Sequence, residues 1–151
     1  MLKNIDPLLT PELLKVLAEM GHGDEVALVD ANFTAASLGA EHGRVLRLAG
    51  AGLVAACDAV LSLLPLDAGD ASPAAYMQHA GMPEGQPSAL QARVIDSLVR
   101  VGGVPARSCQ AMERFAFYER VRRAWAVVQT SEPQPFGNFL FKKGVILAQQ
   151  A

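Results

Sequence analysis

A histidine held between two glycines, in Met20-Gly21-His22-Gly23-Asp24, is followed by the apolar run Val26 to Val29 and then by Asp30. Glycine weakens both helix and strand, so the imidazole belongs on a tight turn with backbone close on either side. The apolar run ends in a carboxylate where a buried strand would emerge. On this reading His22 and Asp30 stand near the same end of one short unit, as an acid/base site requires. An unperturbed imidazole titrates at about 6.5, which suits proton transfer at neutral pH. Each residue also has a plain structural role open to it. His22 could be a turn residue satisfied by backbone, and Asp30 an N-cap for whatever follows Ala31-Asn32. Their spacing of eight positions, flanked by glycine, favours function.

Two later stretches add polar chemistry. Glu113 to Arg120 packs aromatic residues, two arginines and two glutamates into one helix start. Much of that stretch reads as core (Phe115, Phe117) or as solvated ion pairs around Glu119, Arg120 and Arg123. Phe136-Gly137-Asn138 opens the last strand, where Gly137 signals a bulge or a close backbone approach, and Asn138 offers both donors and acceptors. Taken alone, that segment is a turn signal.

The elements that must hold these residues alternate along the chain. Thr10 caps a helix with Pro11 at its first position, Leu13, Leu14, Leu17 and Met20 share one face, and Gly21 is the natural C-cap. Val26 to Val29 reads as a strand covered on both faces. Val45 to Leu48 is a second strand, followed by Gly50-Ala51-Gly52 and an apolar helix to Leu64. Ala74 to Gln78 is a third strand, Gly81 to Pro87 a loop, and Ser88 caps a helix running through Val101. Cys109 to Met112, Trp125 to Thr130 and Asn138 to Phe141 are the remaining strands, with a helix at Phe115 to Arg123. The pattern is α/β, one domain over 1–151 with a largely parallel sheet. In such sheets ligands sit outside the carboxyl ends of the strands, where Asp30 stands.

Composition narrows the classes. The chain has 151 residues, 51% hydrophobic and 19% charged, which argues against disorder. A net charge of -2 gives no electrostatic footprint for nucleic acid or an anionic membrane. The stretch Leu48 to Leu66 is interrupted by glycine, Asp58 and Pro65 and falls short of a membrane span. The N-terminus has no continuous apolar run of signal-peptide type. Cys57 and Cys109 lie outside any CxxC pattern and read as reduced thiols of a cytoplasmic protein. Ala49-Gly50-Ala51-Gly52 before an apolar helix suggests a phosphate loop, yet lacks the Lys-Ser/Thr and the third glycine that such loops need.

As an ordered set, the residues resemble a known family. Leu13 to Glu25 with its His-Gly-Asp, Asp30-Ala31-Asn32-Phe33, Arg114 to Arg120, Gly137-Asn138 and Lys142 to Val145 are similar to the D-ribose pyranase / L-fucose mutarotase family. The arginine-aromatic block points to the fucose branch. The resemblance implies a cofactor-free, metal-free isomerase acting on a free monosaccharide, with a compact α/β fold and a ring-shaped homo-oligomer, often a decamer. It assigns His22 the role of proton donor. Asp30, Arg114, Phe136, Gly137 and Asn138 become sugar contacts. Two positions depart from the pattern: Phe136 replaces a tyrosine, and Asn32 stands where the fucose branch tends to place a histidine. Tyr118 could be a second proton-transfer group or a core or rim residue, and spacing leaves both open. The reaction expected is exchange of the anomers of L-fucose or a related aldose. A D-ribose (or other aldose) pyranase and a non-catalytic sugar-binding protein are the alternatives, and the sugar itself is left open.

Overall fold

In the computed structural model, which describes residues 2–148, the first helix α1 covers Pro11–Glu19. Thr10 caps it, its hydroxyl accepting from the Leu13 amide at 3.2 Å. The strand β1, Glu25–Val29, follows, then a single helical turn α2 (Ala35–Leu38) and β2 (Val45–Leu48). Next come α3 (Leu53–Leu61), β3 (Ala74–Met77) and α4 (Ala89–Arg100). The chain closes with β4 (Cys109–Met112), α5 (Arg114–Arg123), β5 (Ala126–Thr130) and β6 (Phe139–Lys142). No helix among the described residues is long and apolar enough to cross a membrane.

The sheet order is β2-β5-β1-β6-β3-β4. Five of its strands run one way. Only β6 opposes them, pairing antiparallel with β1 on one side and β3 on the other. The expected largely parallel sheet is therefore present, with one inverted strand inserted at its centre. That inversion brings the Gly137-Asn138 segment, at the start of β6, to the carboxyl ends of β1 and β3.

Strand alternation sorts the core into two layers. Val26 and Leu28 of β1, with Phe139 and Phe141 of β6, face α1, α3 and α4. Ala27 and Val29, with Leu140, face α2 and α5 through Phe33, Phe117 and Val121. These β1 side chains are fully buried, which explains a strand that reads as an unbroken apolar run.

The end of α1 differs from the sequence expectation. Gly21 is not a left-handed C-cap; the helix stops at Met20 in extended backbone (φ -61°, ψ 135°). The Lys143 ammonium, arriving from the end of β6, donates to the carbonyls of Leu17 (2.8 Å) and Met20 (2.7 Å). A cation satisfying the last carbonyls removes the need for a glycine cap.

Candidate functional site

Asp30 emerges from β1 only 2% exposed. Its Oδ1 accepts from the Asn32 amide at 2.9 Å, forming a tight turn, and its own amide donates to Asn138 Oδ1 at 3.1 Å. Burial pushes the Asp30 carboxyl above its ordinary value, and the Asn32 amide partly counters this. A desolvated carboxylate is a stronger hydrogen-bond acceptor, so it is poised for a ligand hydroxyl. Asn138 is almost fully buried beside it, its amide 3.8 Å from the Met77 sulfur.

These residues floor a cleft of about 130 Å³ lined by Asp30, Asn32, Phe33, Met77, Arg114, Tyr118, Pro135, Phe136 and Asn138. The helix α5 supplies two of them. Glu113 caps its start, Oε2 accepting from the amides of Phe115 (2.8 Å) and Ala116 (3.0 Å). That cap fixes Arg114 in the first turn, with its guanidinium 4.8 Å from the Phe115 ring centre and 5.8 Å from that of Tyr118. Tyr118, part of the same lining, packs edge-on against Phe33 at 5.6 Å. Phe136 adopts a left-handed backbone (φ 65°) that an L-residue enters only under constraint. Gly137 itself has no positive φ. A side chain there would meet Leu53 and Leu90 at 3.1 Å, so the close approach inferred from sequence is real.

His22 lies elsewhere. The sequence reading placed it near the same end as Asp30, and the structure overturns that. The histidine turn precedes β1, Asp30 follows it, and five residues at about 3.3 Å each separate the two by about 16 Å. A strand five residues long is too rigid and too extended to fold its two ends together.

The His22 turn is nonetheless carefully built. Gly23 takes φ 87° and donates to the Lys143 carbonyl at 2.8 Å, while Gly21 donates to Asp24 Oδ2 at 2.7 Å. His22 Nε2 meets Asp67 Oδ2 at 3.2 Å. Asp67 is the partner that sequence reasoning missed. It lies 45 positions from His22 in a polar loop, and only the pairing of that loop with the end of β6 brings it near. With the carboxylate accepting from Nε2–H, Nδ1 is the nitrogen free to give or take a proton.

Arg114 and Phe136 also border a larger groove of about 660 Å³, with Gln78, Glu84, Gln110, Glu113 and the exposed Phe115 on its walls. A second residue not foreseen is His79, whose ring lies 4.5 Å from that of Phe136 and whose Nδ1 accepts from the Gly81 amide at 2.9 Å. Among the described residues no three of His, Cys, Asp or Glu are grouped as metal ligands would be. The glycine segment before α3 is not an open phosphate cradle: the Gly50 amide donates to Ser131 Oγ at 2.8 Å, and the Glu132 carboxylate lies beside Gly52.

Comparison with known proteins shows what the whole chain is similar to. A family model described as the RbsD / FucU transport protein family matches residues 3–146. An L-fucose mutarotase of Actinobacillus pleuropneumoniae is 42% identical over 145 residues, 96% of this chain and 97% of that one. A human fucose mutarotase is 43% identical over 148 residues, covering 96% of this chain and 94% of its own. The solved fucose mutarotase of Streptococcus pneumoniae in complex with L-fucose superposes with a TM-score of 0.85 at 33% identity, over 97% of this chain and all of that one (100%).

Proposed function

We propose that this chain, which belongs to the RbsD / FucU family, is a mutarotase that exchanges the anomers of L-fucose or a closely related aldose. The observation that carries the reading is the buried Asp30 carboxylate beside Asn138 and Arg114, in a cleft sized for a small polyol. Relatives matched over nearly their full length, one named L-fucose mutarotase at 42% identity and one named fucose mutarotase at 43%, support the choice of sugar.

Anomer exchange needs a proton removed from the anomeric hydroxyl and a proton delivered to the ring oxygen. The ring opens to an aldehyde, which turns and recloses from its other face. Asp30 and Asn138 hold sugar hydroxyls by strong hydrogen bonds. Arg114 donates to more than one oxygen from its planar fork. Tyr118 lines the same cleft, and in this reading its phenol relays a proton. Phe136 offers a ring face but no hydroxyl.

The general acid is His22, with Asp67 steadying the charged imidazole, and it reaches the sugar from a second copy of the chain. Two features support a shared site. His22 is exposed at one pole of the molecule, and the groove beside the cleft opens at the other. Both poles carry exposed apolar side chains: Phe115 at the groove, and Val145, Ile146 and Leu147 in the segment that follows Lys143. Head-to-tail contact between unlike patches closes into a ring when the rotation fits, and a decamer is the ring we infer. Free Cys57 and Cys109 fit a reducing, cytoplasmic setting.

Phe136 favours a second reading, a sugar-binding protein without catalysis. Saturation-transfer NMR on a panel of free aldoses separates the two. Faster exchange of L-fucose anomers with protein than without supports the mutarotase. Calorimetric binding with no faster exchange supports the binder, and a response to D-ribose alone supports a pyranase.

A further inference from the structure

We infer that Gln91 is a positioning residue for the sugar cleft, its buried amide tying both cleft walls to the start of α4; this rests on the reading of the cleft given above. Gln91 is 0% exposed. One amide hydrogen goes to the Met77 carbonyl at 2.7 Å and the other to the Phe136 carbonyl at 2.8 Å. Oε1 accepts from the Ser88 amide at 2.9 Å. Every polar group of the side chain is thus committed, and the direction of the amide is fixed by its partners: two acceptors on one side and a donor on the other.

Helix capping explains only part of this. Ser88 and Gln91 form a capping box, which uses Oε1 alone. A glutamate would serve that box equally and would sit well with the positive end of the helix. What a glutamate cannot do is face two carbonyl oxygens. The NH₂ group is required by Met77 and Phe136, and both of those line the cleft.

The tie acts where the backbone is least free. Phe136 holds a left-handed conformation, and its carbonyl is the group Gln91 grips. Gly137 follows, pressed against Leu90, the neighbour of Gln91 in α4. Asn138 comes next and accepts from the Asp30 amide, while its carbonyl accepts from the Met77 amide at 3.0 Å. One buried amide therefore sets the height of Phe136 and Asn138 over the cleft floor without touching the sugar itself.

The test compares Gln91→Met, Gln91→Glu and Ser88→Ala by anomer exchange of L-fucose, with Asp30→Asn and the wild-type protein alongside. Loss of one or two hydrogen bonds that place substrate contacts predicts a rise in KM of about three- to tenfold in Gln91→Met, with kcat within about twofold. Gln91→Glu keeps the capping box yet sets a carboxylate against two carbonyls, so its KM rises at least as far. Ser88→Ala lowers the melting temperature and leaves KM unchanged. A role confined to the helix start predicts another order, Gln91→Glu close to wild type and Gln91→Met tracking Ser88→Ala, and that order overturns the inference. Should Gln91→Met fail to fold, a wild-type KM in Gln91→Glu overturns it as well. Neither exchange nor calorimetric sugar binding by the wild type would sink the cleft reading and this inference together; exchange that Asp30→Asn lowers by roughly ten- to a hundredfold, with KM unmoved in both Gln91 variants, sinks this inference alone.

Discussion

Asp30 is a carboxylate held against its preference for water, and that tension is measurable apart from activity. Burial raises its folded-state pKa above the ordinary 3.8. A carboxyl raised on folding favours the folded state while protonated and costs stability once ionised. Stability is therefore lost as pH rises from the unfolded value through the folded one. Asp30→Asn removes the charge and keeps the shape. Its melting temperature should exceed that of wild type at pH 7, with the gap closing as pH falls toward 4, while anomer exchange drops by roughly ten- to a hundredfold, the worth of a charged hydrogen bond. A variant less stable than wild type at pH 7 would show that the carboxylate is structural. Arg114→Lys tests the planar fork: the charge is kept and the second donor lost, so kcat/KM for L-fucose should fall by about tenfold with no change in melting temperature.

At the scale of elements, the His22 turn is braced by the strand that leaves the cleft. The segment after β6 carries Lys143 under α1, pairs with Leu66, and continues to Gly144. A Cβ at Gly144 would lie 2.5 Å from the Leu66 carbonyl oxygen, a backbone atom that cannot step aside. Gly144→Ala should cost roughly 1–3 kcal/mol in chemical denaturation. It should also shift Asp67 away from His22, lowering exchange beyond what the loss of folded protein explains. The strands and most helix starts were legible because their signals are local: Thr10 with Pro11, Ser88 at the start of α4, and the apolar run of β1. Asp30, Arg114 and Asn138 were legible as a set through family resemblance, and the sheet together with α5 brings them to one cleft. The pole on which His22 sits was misread, because a turn and a strand end close in sequence lie a full strand apart in space. Asp67, His79 and Gln91 were missed for a related reason: each acts through a contact made by tertiary pairing, with no periodicity to announce it.

At the scale of the whole molecule, one chain displays the Asp30 cleft at one pole and a braced histidine at the other. Sedimentation of the wild-type protein should give a closed oligomer, and a charge placed in the apolar segment, as in Ile146→Asp, should shift it toward smaller species with loss of exchange. In the proposed ring, a working site takes His22 from one copy and Asp30 from the next. Mixing subunits of His22→Ala with subunits of Asp30→Asn, unfolding and refolding them together, and measuring L-fucose anomer exchange tests it directly. Each variant alone should be nearly inactive. If the site is shared head to tail, random mixing in equal amounts rebuilds about a quarter of the sites from intact halves, and exchange returns to about that fraction of wild type. A mixture no more active than the two variants measured separately would contradict it.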